Sequence, residues 1–305
     1  MTRRPRRRRS TAAAVLVGLA LAVTWLVLRG TLLDDAASPA RDRVGLATAS
    51  MEGGPIRVSG TLRRGQAWSA IKVPLAAAFL HRRAEAAGTS DGVVALTGPE
   101  RGWIRRALTR SDNEAASRLF WRMAGGRSHA QRGRTRLAAM LRRGGDRHSR
   151  VRVQFGTTVW RLADAVRVYR RLALGCLVGR RDTAYLLRLM RRVRSSERWG
   201  VPEAVPRSTP VAFKGGWGPN AKGRWLVEQI AIVGSAPDAR IIGVMARSRR
   251  RARSLADPRA FEAGARLVER HARRALRRPD SGASHGPSLE PIVSRHGTSL
   301  DRPDI

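Results

Sequence analysis

Cysteine is almost absent from this 305-residue sequence, and its scarcity excludes several kinds of chemistry. The single cysteine, Cys176, cannot form an internal disulfide. It lies in the apolar stretch 172–178, so we expect a buried and inert thiol. The six histidines show no metal-ligand spacing, and no second cysteine could complete a set of ligands. We therefore predict no metal and no other cofactor.

Acidic residues are also few, with 23 aspartates and glutamates against 60 lysines and arginines. The formal net charge is +37 and the pI is near 12.0, values that would ordinarily indicate a nucleic-acid partner. The arginines are spread through every segment, however, and are not gathered in one stripe with stacking aromatic residues. A coding bias towards arginine explains this distribution better than DNA binding does, and we predict no nucleic-acid partner.

Lysine is the scarcest of the basic residues. The chain contains only three, Lys72, Lys214 and Lys222. Arginine stays protonated in proteins, so it cannot replace a lysine that must act as a base. A lysine kept in so arginine-rich a chain therefore indicates a position where the amine itself is needed.

The first motif is Ser69-Ala70-Ile71-Lys72, which opens the apolar run 73–80. Residues three apart lie on one face of a helix, so the amine would sit beside the serine hydroxyl. With a pKa lowered by burial or by a neighbouring cation, that amine could take the proton of a nucleophilic serine. Pro74 fits a first turn, which places the hydroxyl at the helix N-terminus, where the dipole favours an oxyanion. By itself the spacing also fits an ordinary amphipathic helix.

Two further motifs follow in order along the chain. The second motif, Ser111-Asp112-Asn113, precedes an apolar helix, where Ser111 or Asp112 could serve simply as a cap. The third motif, Lys214-Gly215-Gly216, follows the strand-like residues 211–213, where a glycine-rich hairpin turn is the alternative. Together the three motifs resemble, in kind and order, those of serine β-lactamases and penicillin-binding proteins.

This resemblance covers roughly residues 43–274 of a domain predicted at 43–276. It implies an α+β fold, with an antiparallel β-sheet flanked by helices and an all-helical subdomain between the first and third motifs. It implies Ser69 as nucleophile, Lys72 as base and Ser111 as a proton relay, while Asp112 turns away to fix the loop. The backbone N–H groups of Ser69 and Trp217 would form the oxyanion hole. Lys214 would attract a substrate carboxylate, and the implied substrate-binding residues are Asn113, Lys214, Gly215 and Gly216.

The sequence also departs from class A β-lactamases, the branch that it resembles most. Those enzymes carry a glutamate between the second and third motifs that activates the deacylating water, whereas residues 145–158 here contain none and leave almost no loop. The segment between the first two motifs is also shorter, and Gly215 stands where Thr or Ser would supply a hydroxyl. We therefore predict poor β-lactam hydrolysis, with slow deacylation, or a peptidase or esterase acting on cell-wall or small ester substrates.

A different class of function is a catalytically silent exported domain that binds peptidoglycan or acidic cell-wall polymers, to which a net charge of +37 would be attracted. The presence of both motif lysines favours active chemistry, because a degenerate copy in so arginine-rich a chain would more often have lost one.

The N-terminus predicts export. Residues 1–10 form a basic segment, and the apolar run 11–29 is just long enough to span a bilayer. We expect a single-pass signal anchor in the cell membrane with the basic end inside and the domain outside. Cleavage and secretion is the alternative, and the arginine pairs leave a twin-arginine route open. Residues 30–42 are predicted to be a linker, and residues 277–305 a disordered tail.

Local patterns predict the elements between these ends. The predicted strands are a hairpin at 44–50 and 56–62, followed later by 211–213, 225–233 and 240–246. The predicted helices are one that begins near Ser69, then 114–123, 135–143, 159–174, 184–193 and 261–276.

Overall fold

The computed structural model describes residues 42–219, 224–251 and 258–277. The predicted basic segment, the predicted membrane span 11–29 and nearly all of the predicted linker and tail lie outside these residues. In the part of the chain that is described, no helix has the length and apolar character needed to cross a bilayer.

The described elements alternate between one large sheet and two groups of helices. The strands are β1 (Arg43–Ser50), β2 (Arg57–Gly60), β3 (Arg64–Gln66), β4 (Val159–Arg161), β5 (Val211–Pro219), β6 (Arg224–Val233) and β7 (Arg240–Arg251). The helices are α1 (Lys72–Ala87), α2 (Gly98–Thr109), α3 (Asn113–Ala124), α4 (Ala130–Arg143), α5 (Leu162–Ala173), α6 (Arg180–Arg191) and α7 (Pro258–Arg277).

Five strands form an antiparallel sheet in the order β2-β1-β7-β6-β5. Helices cover both faces, which is why β6 is buried along nearly its whole length. On one face α7 packs so closely that a Cβ at Gly264 would lie 2.5 Å from a methyl group of Val227. On the other face α5 presses Val166 against Gly243 of β7. The predicted antiparallel sheet flanked by helices is confirmed.

The helices between the first and third motifs pack around α1. The residues of the apolar run 73–80 are all buried, because this helix has neighbours on every side. Helix α1 begins directly after the 3₁₀ turn Trp68–Ile71 and ends at Gly88, which adopts a left-handed conformation (φ 62°). Within the described residues, this subdomain is all-helical as predicted, apart from the short strand β4.

The predicted helix 159–174 is wrong at its start. Residues Val159–Arg161 form β4 and pair with β3, so the helix begins only at Leu162. The partner strand lies far away in the sequence, and three residues are too few to show an alternating pattern. Local periodicity therefore could not predict this pairing.

The predicted burial of Cys176 is also wrong, because the residue is exposed. Helix α5 ends at Ala173, and Gly175 reverses the chain in the left-handed region (φ 73°). The Cys176 N–H then donates to the Arg171 carbonyl oxygen at 2.8 Å, and that of Gly175 to the Leu172 carbonyl oxygen at 2.9 Å. This cap turns the thiol away from the core although its sequence neighbours are apolar.

Candidate active site

The turn that carries Ser69 is fixed by contacts on several sides. Trp68, just before it, has a left-handed backbone (φ 41°), a conformation that costs free energy in a bulky residue and persists only where its surroundings impose it. Its indole packs on Gly218, where a Cβ would lie 2.4 Å from the ring. Behind the turn, the Tyr169 hydroxyl donates to the Ala70 carbonyl oxygen at 2.9 Å, and the Ala67 N–H donates to the Thr158 carbonyl oxygen at 2.8 Å.

Lys72 is buried at the start of α1, with 1% of its surface exposed. Its ammonium donates to the Asn113 side-chain oxygen at 2.6 Å and to the Ser111 carbonyl oxygen at 2.5 Å. Burial, helped by the nearby charge of Lys214, lowers the pKa of Lys72 from 10.5 to about 7. A substantial fraction of this amine is therefore neutral near pH 7 and able to accept a proton.

In the second motif the three side chains have different partners. Asp112 caps α3, since its carboxylate accepts the Ala115 N–H at 2.9 Å and the Arg106 guanidinium at 3.2 Å. These bonds lower the pKa of Asp112, with the cap bond as the largest cause that acts in this direction. Ser111 has a left-handed backbone (φ 54°), and its hydroxyl accepts a hydrogen bond from Lys214 at 2.8 Å. Ser111 and Asn113 thus face the lysines while Asp112 faces the loop.

Lys214 lies on β5 and is also buried, with 2% of its surface exposed. Besides Ser111, its amine contacts the Gly215 carbonyl oxygen at 3.0 Å. Burial lowers the pKa of Lys214 to about 8, against the opposing charge of Glu197. The structure therefore links the two motif lysines through Ser111, whose carbonyl oxygen binds Lys72 and whose hydroxyl binds Lys214.

Strand β5 lies directly against the nucleophile turn at Gly216. A Cβ at this position would be 3.0 Å from the Ser69 nitrogen and 2.8 Å from the Ala67 oxygen, so a side chain would push the strand away. The next residue is Trp217, whose N–H we predict to share the oxyanion hole with that of Ser69. The close approach places the third motif directly beside the nucleophile turn.

Gly215 has a specific neighbour that explains the missing hydroxyl of the third motif. A Cβ there would lie 2.4 Å from the Trp199 ring, so any side chain would collide with the indole. The ring itself is held edge-on against Trp217 and Phe261, at centroid distances of 5.8 and 5.3 Å. The tryptophan thus occupies the space that a threonine would need.

We expect Gly215→Thr to lower the free energy of unfolding by about 1–3 kcal/mol, because it overfills a packed site. Trp199→Ala should create the space, so the double variant Gly215→Thr/Trp199→Ala should cost less than the two single variants added together. Denaturant unfolding of the four proteins measures this coupling. Gly98→Thr is the matched control, since a Cβ there meets nothing within 4 Å. Strictly additive costs would contradict the explanation.

Sequence reasoning missed Glu197, a carboxylate near both motif lysines. The 3₁₀ turn Ser195–Glu197 follows Arg194, whose N–H donates to the Thr109 carbonyl oxygen at the end of α2 at 3.1 Å. Burial raises the pKa of Glu197, opposed chiefly by the positive charge of Lys214. The only sequence signal was a lone acid among the arginines 191, 192, 194 and 198.

A second missed carboxyl, Glu228, lies in the sheet opposite Gly216 and is fully buried. One carboxyl oxygen accepts the indole N–H of Trp160 on β4 at 3.1 Å, while the other has no hydrogen-bond partner in the described structure. Burial raises the pKa of Glu228 to about 8, so the group is protonated at neutral pH. A neutral acid therefore lies in the sheet beneath the nucleophile turn.

Beside Ser69 and Lys72 the structure has a cleft of about 580 Å³. Residues from the nucleophile turn, α3, the segment before β4 and the β5–β6 hairpin line it. They are Trp68, Ser69, Lys72, Asn113, Ser117, Phe120, Trp121, Val153, Gln154, Phe155, Gly156, Thr157, Trp217, Gly218, Pro219 and Trp225.

In the described part of the chain, one cluster brings metal-ligating atoms within 4.8 Å of one another, at Asp146, His148 and Asp164. Asp164 already pairs with Arg167, and its other oxygen lies 2.8 Å from the imidazole of His148. A guanidinium thus takes a place beside the carboxylates, and none of the three residues lines the cleft. We assign no metal to this cluster.

The solved structures with this architecture include class A β-lactamases and PBP-A. A class A β-lactamase from Mycobacterium abscessus superposes with a TM-score of 0.59 at 20% identity, covering 78% of this chain and 94% of that one. PBP-A superposes with a TM-score of 0.56 at 17% identity, covering 83% of this chain and 94% of that one. A β-lactamase from Desulfarculus baarsii superposes with a TM-score of 0.55 at 21% identity, covering 86% of this chain and 98% of that one. A mutant of PBP-A has been solved as an acyl-enzyme complex with penicillin G. No protein-family model matches the sequence, and a search of curated proteins finds no relative.

Proposed function

We propose that this chain, which has the fold of the serine β-lactamases and penicillin-binding proteins, is a serine hydrolase that works through an acyl-serine intermediate. The observation that carries the proposal is the buried arrangement around Lys72. An amine with a pKa of about 7, that of Lys72, lies three residues after Ser69 and donates to the Ser111 carbonyl oxygen. The Ser111 hydroxyl accepts a hydrogen bond from Lys214. The fold alone would not supply a base for the serine hydroxyl.

In the proposed acylation, neutral Lys72 takes the hydroxyl proton of Ser69, and Oγ attacks the carbonyl carbon of the substrate. The N–H groups of Ser69 and Trp217 stabilise the oxyanion. As the bond from carbon to the leaving nitrogen or oxygen breaks, Ser111 donates its hydroxyl proton to that atom and regains one from the Lys214 ammonium that is hydrogen-bonded to this hydroxyl, while Lys72 keeps the proton of Ser69. Lys214 keeps the Ser111 hydroxyl in position through its 2.8 Å hydrogen bond.

Deacylation is the step that we expect to be slow. Water must then attack the acyl carbon, and it needs a base to remove its proton. Of the described residues that line the cleft, none is an aspartate or glutamate, and the wall formed by residues 153–157 offers Gln154 instead. The acyl-enzyme should therefore accumulate with a β-lactam, which is a penicillin-binding rather than a β-lactamase behaviour.

The test is the intact mass of the full-length protein during incubation with penicillin G. We expect an adduct equal to the whole penicillin that is lost slowly, and no adduct on Ser69→Ala. A wild-type protein that stays unmodified by penicillin and by simple activated esters would refute the acyl-serine proposal. Rapid formation and loss of the adduct would contradict the slow deacylation.

The natural substrate that we propose is a small or peptidoglycan-like acyl compound outside the cytoplasm. The apolar segment 11–29 supports single-pass anchoring with the domain exported, or secretion after cleavage. The net charge of +37 supports the second candidate function, a silent domain that binds acidic wall polymers. Wall binding that is equal in wild type and Ser69→Ala, without any adduct, would favour that candidate.

A further inference from the structure

The described lining of the cleft beside Ser69 carries almost no charge, although the chain is rich in arginine. Among its described lining residues, Lys72 is the only one with a charged side chain, although the sequence contains 60 lysines and arginines. Two other cavities are lined quite differently. Arg82, Arg136 and Arg143 line one, and Arg249, Arg266 and Arg270 line the other. The absence of arginine among the described lining residues is therefore a local property of this cleft.

Aromatic side chains supply much of the wall instead. Trp68 lies beside the nucleophile, Trp121 lies on α3, and Phe155 lies in the segment before β4. Phe120 connects the last two, because its ring centroid is 4.9 Å from that of Trp121 and 5.6 Å from that of Phe155. Val153 adds an apolar side chain that is 41% exposed. Since the rings pack on one another, this wall can receive a flat group without first being ordered.

We infer that this wall binds the side chain of the substrate's acyl group, and that this side chain is neutral and aromatic. The inference rests on the proposed function, because it assumes that the acyl carbon is held at Ser69. Among the described residues that line the cleft, Lys72 is the only cation, and it is already held by Asn113 and Ser111. A carboxylate on the side chain would therefore lose its water against this lining without gaining an ion pair from it. A flat apolar ring would instead stack on Trp121 or Phe155.

Three penicillins test this effect, because they share the reactive lactam and the ring carboxylate and differ at the side chain. Penicillin G carries a phenylacetyl side chain, carbenicillin carries the same side chain with an added carboxylate, and 6-aminopenicillanic acid has none. We expect penicillin G to acylate the full-length protein at least about tenfold faster than either of the others. Equal rates for penicillin G and carbenicillin would overturn the inference, as would equal rates for penicillin G and 6-aminopenicillanic acid.

Binding to the Ser69→Ala variant tests the inference separately from the chemistry. Calorimetric titration should show tighter binding of penicillin G than of carbenicillin, by about tenfold. If the wild type forms no adduct but this preference is present, the acyl-serine chemistry fails, while the preference of the wall for a neutral aromatic group stands. If adducts form and neither rate nor affinity discriminates, the inference fails and the proposed function stands.

The variant Trp121→Ala tests whether this wall is the part of the cleft that binds the side chain, and Trp103→Ala is its matched control. Both tryptophans are partly buried against the same core cluster, and each has an arginine over its ring, Arg127 at 6.0 Å and Arg118 at 5.9 Å. Only Trp121 lines the cleft. We expect Trp121→Ala to lower the rate ratio of penicillin G to 6-aminopenicillanic acid by about tenfold and Trp103→Ala to leave it as in the wild type. An equal change in both variants would contradict the assignment.

Discussion

Replacing Lys72 by arginine is expected to slow acylation of Ser69 by about 10²–10⁴-fold, which is the usual contribution of a positioned base. The substitution keeps the positive charge and the ability to donate to Asn113, but a guanidinium is not deprotonated in a protein. The rate of adduct formation with penicillin G measures the loss. Lys222→Arg is the control, because it makes the same change at the third lysine, which lies outside the described residues.

The pH dependence of the same rate gives an independent readout. Below pH 7 the ammonium form of Lys72 predominates, so the rate should rise about tenfold per pH unit until the amine loses its proton near its pKa of about 7. Above about pH 8 Lys214 loses the charge with which it holds Ser111, and the rate should fall. Rates that are independent of pH between 5 and 7 in the wild type would contradict the assignment of Lys72 as the base.

Replacing Glu228 by glutamine is expected to stabilise the protein at pH 8 by several kcal/mol. In the folded protein the pKa of Glu228 is about 8, against 4.5 for an unperturbed glutamate. Between these pH values the folded state binds the proton more tightly than the unfolded state, so stability falls as pH rises. The difference amounts to on the order of 5 kcal/mol across this window, because each pKa unit is about 1.4 kcal/mol. Glutamine has no proton to lose and can still accept the Trp160 N–H.

Denaturant unfolding of both proteins at pH values from 4.5 to 8 measures this difference. The stabilisation by Glu228→Gln should be smallest at pH 4.5 and grow with pH, because the raised pKa of Glu228 lowers stability only as the unfolded state loses its proton. Glu203→Gln, which makes the same change at an exposed position, is the matched control. Parallel stability curves for wild type and Glu228→Gln would show that the buried carboxyl keeps its ordinary pKa.

Much of the architecture could be predicted from the sequence because its signals are local. The run 73–80 is apolar on every side of its helix and is buried on every side. In the first hairpin apolar residues alternate with small or polar ones, and the later strands are continuously apolar, as is typical of sheet strands. The order of the three motifs predicted the fold, and the described structure confirms it. The lysines were informative because arginine is so abundant elsewhere in the chain.

Three features that sequence reasoning missed depend on residues far apart in the chain. Strand β4 exists only because β3, nearly a hundred residues earlier, offers it hydrogen bonds. The sequence shows that Gly215 replaces the usual Thr or Ser of the third motif, but the reason, the ring of Trp199 beside it, is visible only in the structure. Glu228 reads as an ordinary polar residue in a strand, and its raised pKa follows from helices that cover both faces of the sheet. Contacts of this kind leave no local pattern.

The two buried amines have a consequence for spectroscopy. With three lysines in the whole chain, protein grown with isotopically labelled lysine would show at most three sets of side-chain resonances. Two of those side chains, Lys72 and Lys214, are nearly inaccessible to water, which should slow proton exchange and disperse their signals from that of a solvated amine. The protonation of the base during catalysis could then be followed directly in the intact protein, with single-residue variants sufficient for assignment.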